Sequence, residues 1–148
     1  QLERMVTKIS VAAGRSDSDL SGVTVGALGL TFKAGTDDLR ESPALAIISE
    51  LRAHGADVRA FDPTTTGELS PHQTMVLDGI DIVSDPLDVA DGADVIAVFT
   101  EWPDFAKIEL AQLAARARPG TTIVDTRNLF EPDMVREAGF GYDGVGRR

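Results

Sequence analysis

Lys33, Arg40 and Arg127 are the residues whose type and placement offer chemistry: each stands in a polar stretch beyond a short apolar run, and together they could neutralise a diphosphate. Arginine suits that task because its planar guanidinium meets two phosphate oxygens at once, while lysine adds a point charge. Phe32 and Trp102 stand beside the same positions and could flank a base or ring, with Glu101 next to the tryptophan. Bond-making groups are scarcer. His54 and His72, the only histidines, stand apart from any carboxylate or nucleophile pattern. The absence of cysteine removes disulfides, thiolate zinc sites and cysteine nucleophiles together. The pattern points to anion recognition, with no catalytic residue and no metal ligand assigned.

Each candidate also has an ordinary structural role open to it. Lys33 can be a solvated loop lysine, and Arg40 can pair with Asp37, Asp38 or Glu41, in exposed pairs that stabilise by only ~0.2–1 kcal/mol. Trp102 can be core or interface, Arg127 a tie to the C-terminal segment, and Glu101 a cap for a helix near Asp104. His54, at a helix end, suits surface capping.

The elements that would position these residues alternate between strand and helix. Residues 23–28 form a β-branched, mostly apolar run bounded by glycines, as in a buried strand. Ser42-Pro43 then opens an amphipathic helix over 44–51, with serine as cap and proline at the first helical position. The polar loop 29–43 between them is therefore held at a sheet rim, where open α/β folds bind ligands. Further strands are expected at 56–61, 80–83, 93–99 and 121–124, the last treated as the final strand. Helices are expected at 86–90, 107–116 and 132–137, with 64–74 as loop holding at most a helical turn. This βαβ alternation predicts a Rossmann-like parallel sheet with helices on both faces. The strand ends then deliver residues 31–40, Asp62, 100–103 and 125–128 to one edge. Gly26-x-x-Gly29 falls short of the G-x-G-x-x-G fingerprint, and Asp62 lies too far downstream to be its usual ribose partner.

Composition sets the bounds. The 148 residues suit one domain that buries about two thirds of its unfolded surface, and 43% hydrophobic with 26% charged residues is ordinary for a globular chain. A formal net charge of −10 argues against nucleic-acid or acidic-membrane partners, so a phosphate ligand must be held by a few local cations. No apolar run reaches the ~20 residues of a membrane span and no leader pattern opens the chain, which fits a cytoplasmic protein. The first residue is Gln1, and apolar residues fall at helical spacing over 2–11, as at the end of a helix begun upstream. The glycine-rich stretch 139–148 reads as a natural end.

Gly29-Leu30-Thr31-Phe32-Lys33, then Thr36-Asp37-Asp38, Arg40-Glu41-Ser42-Pro43, Phe61-Asp62-Pro63, Thr100-Glu101-Trp102, Arg127-Asn128 and Gly144-x-Gly146-Arg147 together resemble the C-terminal domain of the UDP-glucose/GDP-mannose dehydrogenase family. The match spans nearly the whole chain in the right order. The long loop motif is specific, and the Thr-Glu-Trp segment is most similar to the UDP-glucose 6-dehydrogenase branch. Gly35 stands where asparagine is common, and Thr126 where glycine is common before the arginine.

The resemblance implies a division of labour. Residues 1–20 would end an interdomain linker helix and 21–148 would form the UDP-binding domain, with NAD held mainly by an N-terminal domain and a central segment supplying the catalytic cysteine and dimer contacts of a homo-oligomer. Phe32, Lys33 and Arg127 match positions that contact the substrate nucleotide, Arg40 matches an arginine that reaches the NAD, and Glu101 and Trp102 are further candidates. UDP or a UDP-sugar is then the ligand. Such enzymes oxidise a primary alcohol twice through a cysteine-bound intermediate, so this cysteine-free chain alone is expected to be inactive. Three alternatives stay open: a stand-alone nucleotide or nucleotide-sugar binding module without catalysis, another UDP-sugar or GDP-mannose dehydrogenase branch, and an oxidoreductase domain that uses NAD itself.

Overall fold

The computed structural model describes residues 2–145, so the Gly146-Arg147 part of the closing motif lies outside the described residues. Six parallel strands form one sheet in the order β3-β2-β1-β4-β5-β6, comprising β1 (Thr24–Leu28), β2 (Asp57–Phe61), β3 (Asp81–Ile82), β4 (Val95–Val98), β5 (Thr122–Asp125) and β6 (Gly141–Gly144). The two central strands are the most apolar, as burial on both faces requires: every residue of β4 is buried, and so are four of the five in β1.

Alternation along those strands builds two cores. Val25, Ala27, Val58, Ala60, Val95 and Ala97 face α1 (Leu2–Ala12) and α2 (Pro43–Ala53), whose Ile9, Ile48 and Leu51 are shut off from solvent. Leu28, Phe61, Ile96, Val98 and Ile123 face the other way, against α4 (Leu110–Arg116), α5 (Pro132–Glu137) and two 3-10 turns at Pro86–Ala90 and Pro103–Lys107. Helices thus cover both faces, as the sequence predicts. Helix α1 is no loose arm, because Val6 and Ile9 belong to the same core as α2. Among the described residues no helix is long and apolar enough to cross a membrane.

Three expectations are corrected. The stretch 64–74 runs into a further helix, α3 (Pro71–Val76), which starts at a reciprocal capping box between Ser70 and Gln73. The helix expected over 107–116 starts only at Leu110, because Ile108 and Glu109 take extended backbone after a separate 3-10 turn that ends at Lys107. The sheet also continues past its expected last strand: β6 pairs with β5, Ile123 against Tyr142, in a glycine-rich segment of low strand propensity. The edge strand expected at 80–83 is present as β3, two residues long. Ser42 caps α2 as expected, its hydroxyl accepting from the Leu45 amide at 3.4 Å.

Candidate functional site

The sheet reverses direction between β1 and β4: the chain winds one way through β2 and β3, and the other way through β5 and β6. In open α/β sheets the crevice outside the carboxyl ends of such a strand pair is where ligands bind. Here β1 delivers the loop 29–42, β4 delivers 99–102, and β5 delivers the turn 126–131.

The β1 loop is braced at almost every turn. Asp62, at the end of β2 and fully buried, accepts from the amides of Leu30 at 2.7 Å and Thr31 at 3.3 Å through one oxygen. Its other oxygen accepts from the Thr64 amide at 2.9 Å and the Thr64 hydroxyl at 2.7 Å. The Thr31 carbonyl accepts from the Thr100 hydroxyl at 3.1 Å, which joins the β1 and β4 ends. The Thr31 hydroxyl donates to the Lys33 carbonyl at 3.1 Å, the Phe32 amide to the Asp38 carbonyl at 2.9 Å, and the Ser42 hydroxyl to the Leu30 carbonyl at 2.7 Å. On this scaffold Phe32 is 45% exposed, and Lys33 is exposed without an ion pair among the described residues.

Arg40 takes the local alternative open to it. Its Nε donates to Asp38 Oδ1 at 3.0 Å and its amide donates to the same oxygen at 2.9 Å. The Arg40 side chain hydrogen-bonded to Asp38 holds that carboxyl below the usual aspartate range. The pair is solvated, and Phe32, Asp38, Arg40 and Glu41 line a shallow hollow of about 440 Å³.

At the β5 end a second buried carboxylate does for the turn what Asp62 does for the loop. Asp125 accepts from the Arg127 amide at 3.2 Å, the Phe130 amide at 2.8 Å and the Tyr142 hydroxyl at 3.2 Å. Arg127 Nε donates to the Phe99 carbonyl at 3.0 Å and lies 3.4 Å from a Glu101 carboxylate oxygen. Glu101 thus pairs with Arg127; the 3-10 turn at Pro103–Lys107 starts at Trp102 with no side-chain cap, which corrects the capping role considered for Glu101. Thr126, where glycine is common, donates its hydroxyl to the Val98 carbonyl at 2.5 Å and leaves the arginine in place.

The predicted residues do not all meet. Arg127 opens on a mostly apolar cleft of about 670 Å³ between α1 and α2, where Arg4 and Lys8 of α1 also stand. Phe32 and Arg40 line the separate hollow of the β1 loop. Trp102 lines neither; it packs against the core that contains Phe105, and its indole N–H is buried without a partner among the described residues. Among the described residues no group of three or more His, Cys, Asp or Glu side chains is placed to hold a metal ion.

The β1 turn does not fit the pyrophosphate of a dinucleotide. A Cβ on Gly26 would lie 2.2 Å from the Val89 carbonyl oxygen, and one on Gly29 2.6 Å from Thr100, so both glycines serve packing between protein segments. The amides of Leu30 and Thr31, which a phosphate would need, already donate to Asp62. Sequence reasoning placed Thr31, Asp62, Thr100 and Asp125 at the strand ends but missed that they brace the loops there. The residues following neighbouring strand ends were the available signal.

Comparison with known proteins shows the family and the fold. Residues 26–132 match the model of the UDP-glucose/GDP-mannose dehydrogenase family, UDP binding domain. A UDP-glucose 6-dehydrogenase of Rhizobium meliloti is 36% identical over 143 residues, covering 97% of this chain and 31% of the relative. Among solved structures, an NDP-N-acetyl-D-galactosaminuronic acid dehydrogenase from Methanosarcina mazei superposes with a TM-score of 0.79 at 25% identity, over 98% of this chain and 29% of that one. A UDP-glucose dehydrogenase from Pyrobaculum islandicum does so with a TM-score of 0.76 at 29% identity, over 99% and 30%. The chain spans about a third of the length of the curated relatives it matches.

Proposed function

The chain belongs to the UDP-glucose/GDP-mannose dehydrogenase family, whose UDP binding domain it matches, and from that premise we propose that it holds the substrate nucleotide of a UDP-glucose 6-dehydrogenase. The full enzyme would oxidise UDP-glucose to UDP-glucuronate with two NAD, the cofactor being held by parts of the polypeptide outside this chain. The observation that carries the reading is Lys33: an exposed cation without an ion pair among the described residues, on a loop braced by the Asp62 hydrogen bonds, at the carboxyl rim of the sheet. Arg127 stands on the same rim, after β5, two strands from β1 in the sheet.

In this reading Lys33 and Arg127 neutralise the diphosphate and orient the nucleotide, while the Phe32 ring covers its base or ribose. Glu101 keeps Arg127 extended along the rim until the nucleotide competes for it. Arg40, solvated and paired with Asp38, extends toward NAD bound by the facing domain. NAD supplies hydride acceptance there, and the residues of this chain bind and orient the sugar nucleotide. The β1 turn, with its amides taken by Asp62, argues against NAD binding by this chain in the usual dinucleotide manner.

Calorimetric titration of the chain with UDP and, separately, with NAD tests this. UDP is expected to bind and NAD not; NAD binding in preference to UDP would overturn the reading. A coupled assay of NADH formation from UDP-glucose should give no turnover above a protein-free blank.

A further inference from the structure

We propose that Asp62, a buried residue that touches no solvent, is a positioning residue that sets the backbone from which Lys33 reaches the nucleotide; this rests on the reading of the site as UDP-binding. The parallel register places Phe61 beside Leu28, so the residue after β2 lies against the residues after β1. One Asp62 oxygen takes the Leu30 and Thr31 amides, and the other takes both donors of Thr64. All four partners are donors, so the site is built for an acceptor on both sides. Asparagine of the same shape would turn an N–H toward an N–H on one of them.

Thr31 passes the constraint on. Its amide is held by Asp62, its carbonyl by Thr100, and its hydroxyl holds the Lys33 carbonyl, so the main chain is fixed on both sides of Phe32. The Phe32 amide is held in turn by the Asp38 carbonyl. A loop this constrained pays little ordering entropy when an anion arrives at Lys33, whereas a released loop must be ordered by the ligand. Asp62 therefore acts on affinity through Lys33 and carries no ligand contact of its own.

The test is a double-mutant cycle read by UDP titration of the 148-residue chain, with Asp62→Asn, Lys33→Met and the pair. Each single variant is expected to weaken UDP binding by about tenfold, as loss of a charge-assisted contact or of its placement would. The pair is expected to bind within about twofold of Lys33→Met alone, because Asp62 has nothing left to position. Arg127→Ala combined with Asp62→Asn should instead give roughly multiplied losses. A parent chain that does not bind UDP, or a Lys33→Met variant that binds like the parent, overturns the UDP-site reading. An Asp62→Asn chain that binds like the parent, or loses as much in the Lys33→Met background as alone, overturns the positioning role while leaving that reading intact. Thr64→Val, which removes one donor and keeps the carboxylate, is the second variant should Asp62→Asn not fold. Its loss, expected at about threefold, must also vanish with Lys33→Met, and persistence there overturns the proposal.

Discussion

Lys33 and Arg127 carry the same charge into different surroundings, and that difference predicts different consequences for their removal. Lys33 has no ion pair among the described residues, so Lys33→Ala should cost nucleotide binding and leave the fold untouched. Arg127 also donates to the Phe99 carbonyl and neighbours Glu101, so Arg127→Ala should weaken binding and lower thermal stability together. Each loss in UDP affinity is expected at roughly 1.5–3 kcal/mol, the scale of a charge-assisted hydrogen bond. Calorimetry with UDP and thermal melts of both variants check this; two variants that bind UDP like the parent would remove the site assignment. Both cations were legible in the sequence, because a charged residue just after an apolar run stands out locally. The pairing of Arg40 with Asp38 was open there as one of several choices, and a geometry over two residues settled it.

The loop 29–42 shows how an element is held by backbone geometry. Gly29 has a φ of +100°, and a Cβ there would meet Thr100 at 2.6 Å, so Gly29→Ala brings both left-handed strain and a clash at the join of β1 and β4. A loss of about 2 kcal/mol or more is expected in urea unfolding. Gly35 is the contrast: its φ is +84°, but a Cβ would meet nothing within 4 Å. Gly35→Asn, the residue common at this place, should therefore cost less than about 1 kcal/mol, because asparagine tolerates this conformation. Equal losses for the two variants would contradict the account. The strand before this loop and the cap after it were legible because β-branched runs and Ser-Pro act locally. Strand β6 was not legible, since Gly141-Tyr142-Asp143-Gly144 has no strand period and is ordered by pairing with β5.

For the molecule as a whole, α1 is part of the core and not only a connector. Ile9 is 0% exposed among residues of α2 and the sheet, so Ile9→Ala should destabilise the chain by ~2–5 kcal/mol in chemical unfolding. A change below ~1 kcal/mol would mean that α1 does not pack on the sheet in solution. At the opposite rim from the site, Arg116 ties the Pro86–Ala90 turn to α4 by pairing with Asp88 and Asp91. The Arg116 hydrogen bond holds the Asp91 carboxyl below its usual range. A carboxyl depressed on folding adds stability above its unfolded pKa and loses it as pH falls through the folded value. The parent should therefore exceed Arg116→Gln in urea midpoint near neutral pH, with the gap closing at acid pH below the aspartate range. A gap that stays constant with pH would rule out this ion pair as its source. Both groups are solvated, so salt should narrow the gap as well.

By itself the amino-acid order determined the alternation of strands and helices, the parallel sheet, and the family motif around Phe32, Lys33 and Arg127, because hydrophobic period, turn residues and caps act over a few neighbours. Tertiary structure alone decided how those residues are held. Asp62 meets the Leu30 amide across 32 residues and Thr100 meets the Thr31 carbonyl across 69, contacts that exist only once parallel register brings the strand ends together. The same packing turned Gly26 in β1 and Gly29 just beyond it from an incomplete dinucleotide fingerprint into surfaces for Val89 and Thr100. A side chain's type is local, but the partner of a buried carboxylate is set by which strands lie side by side.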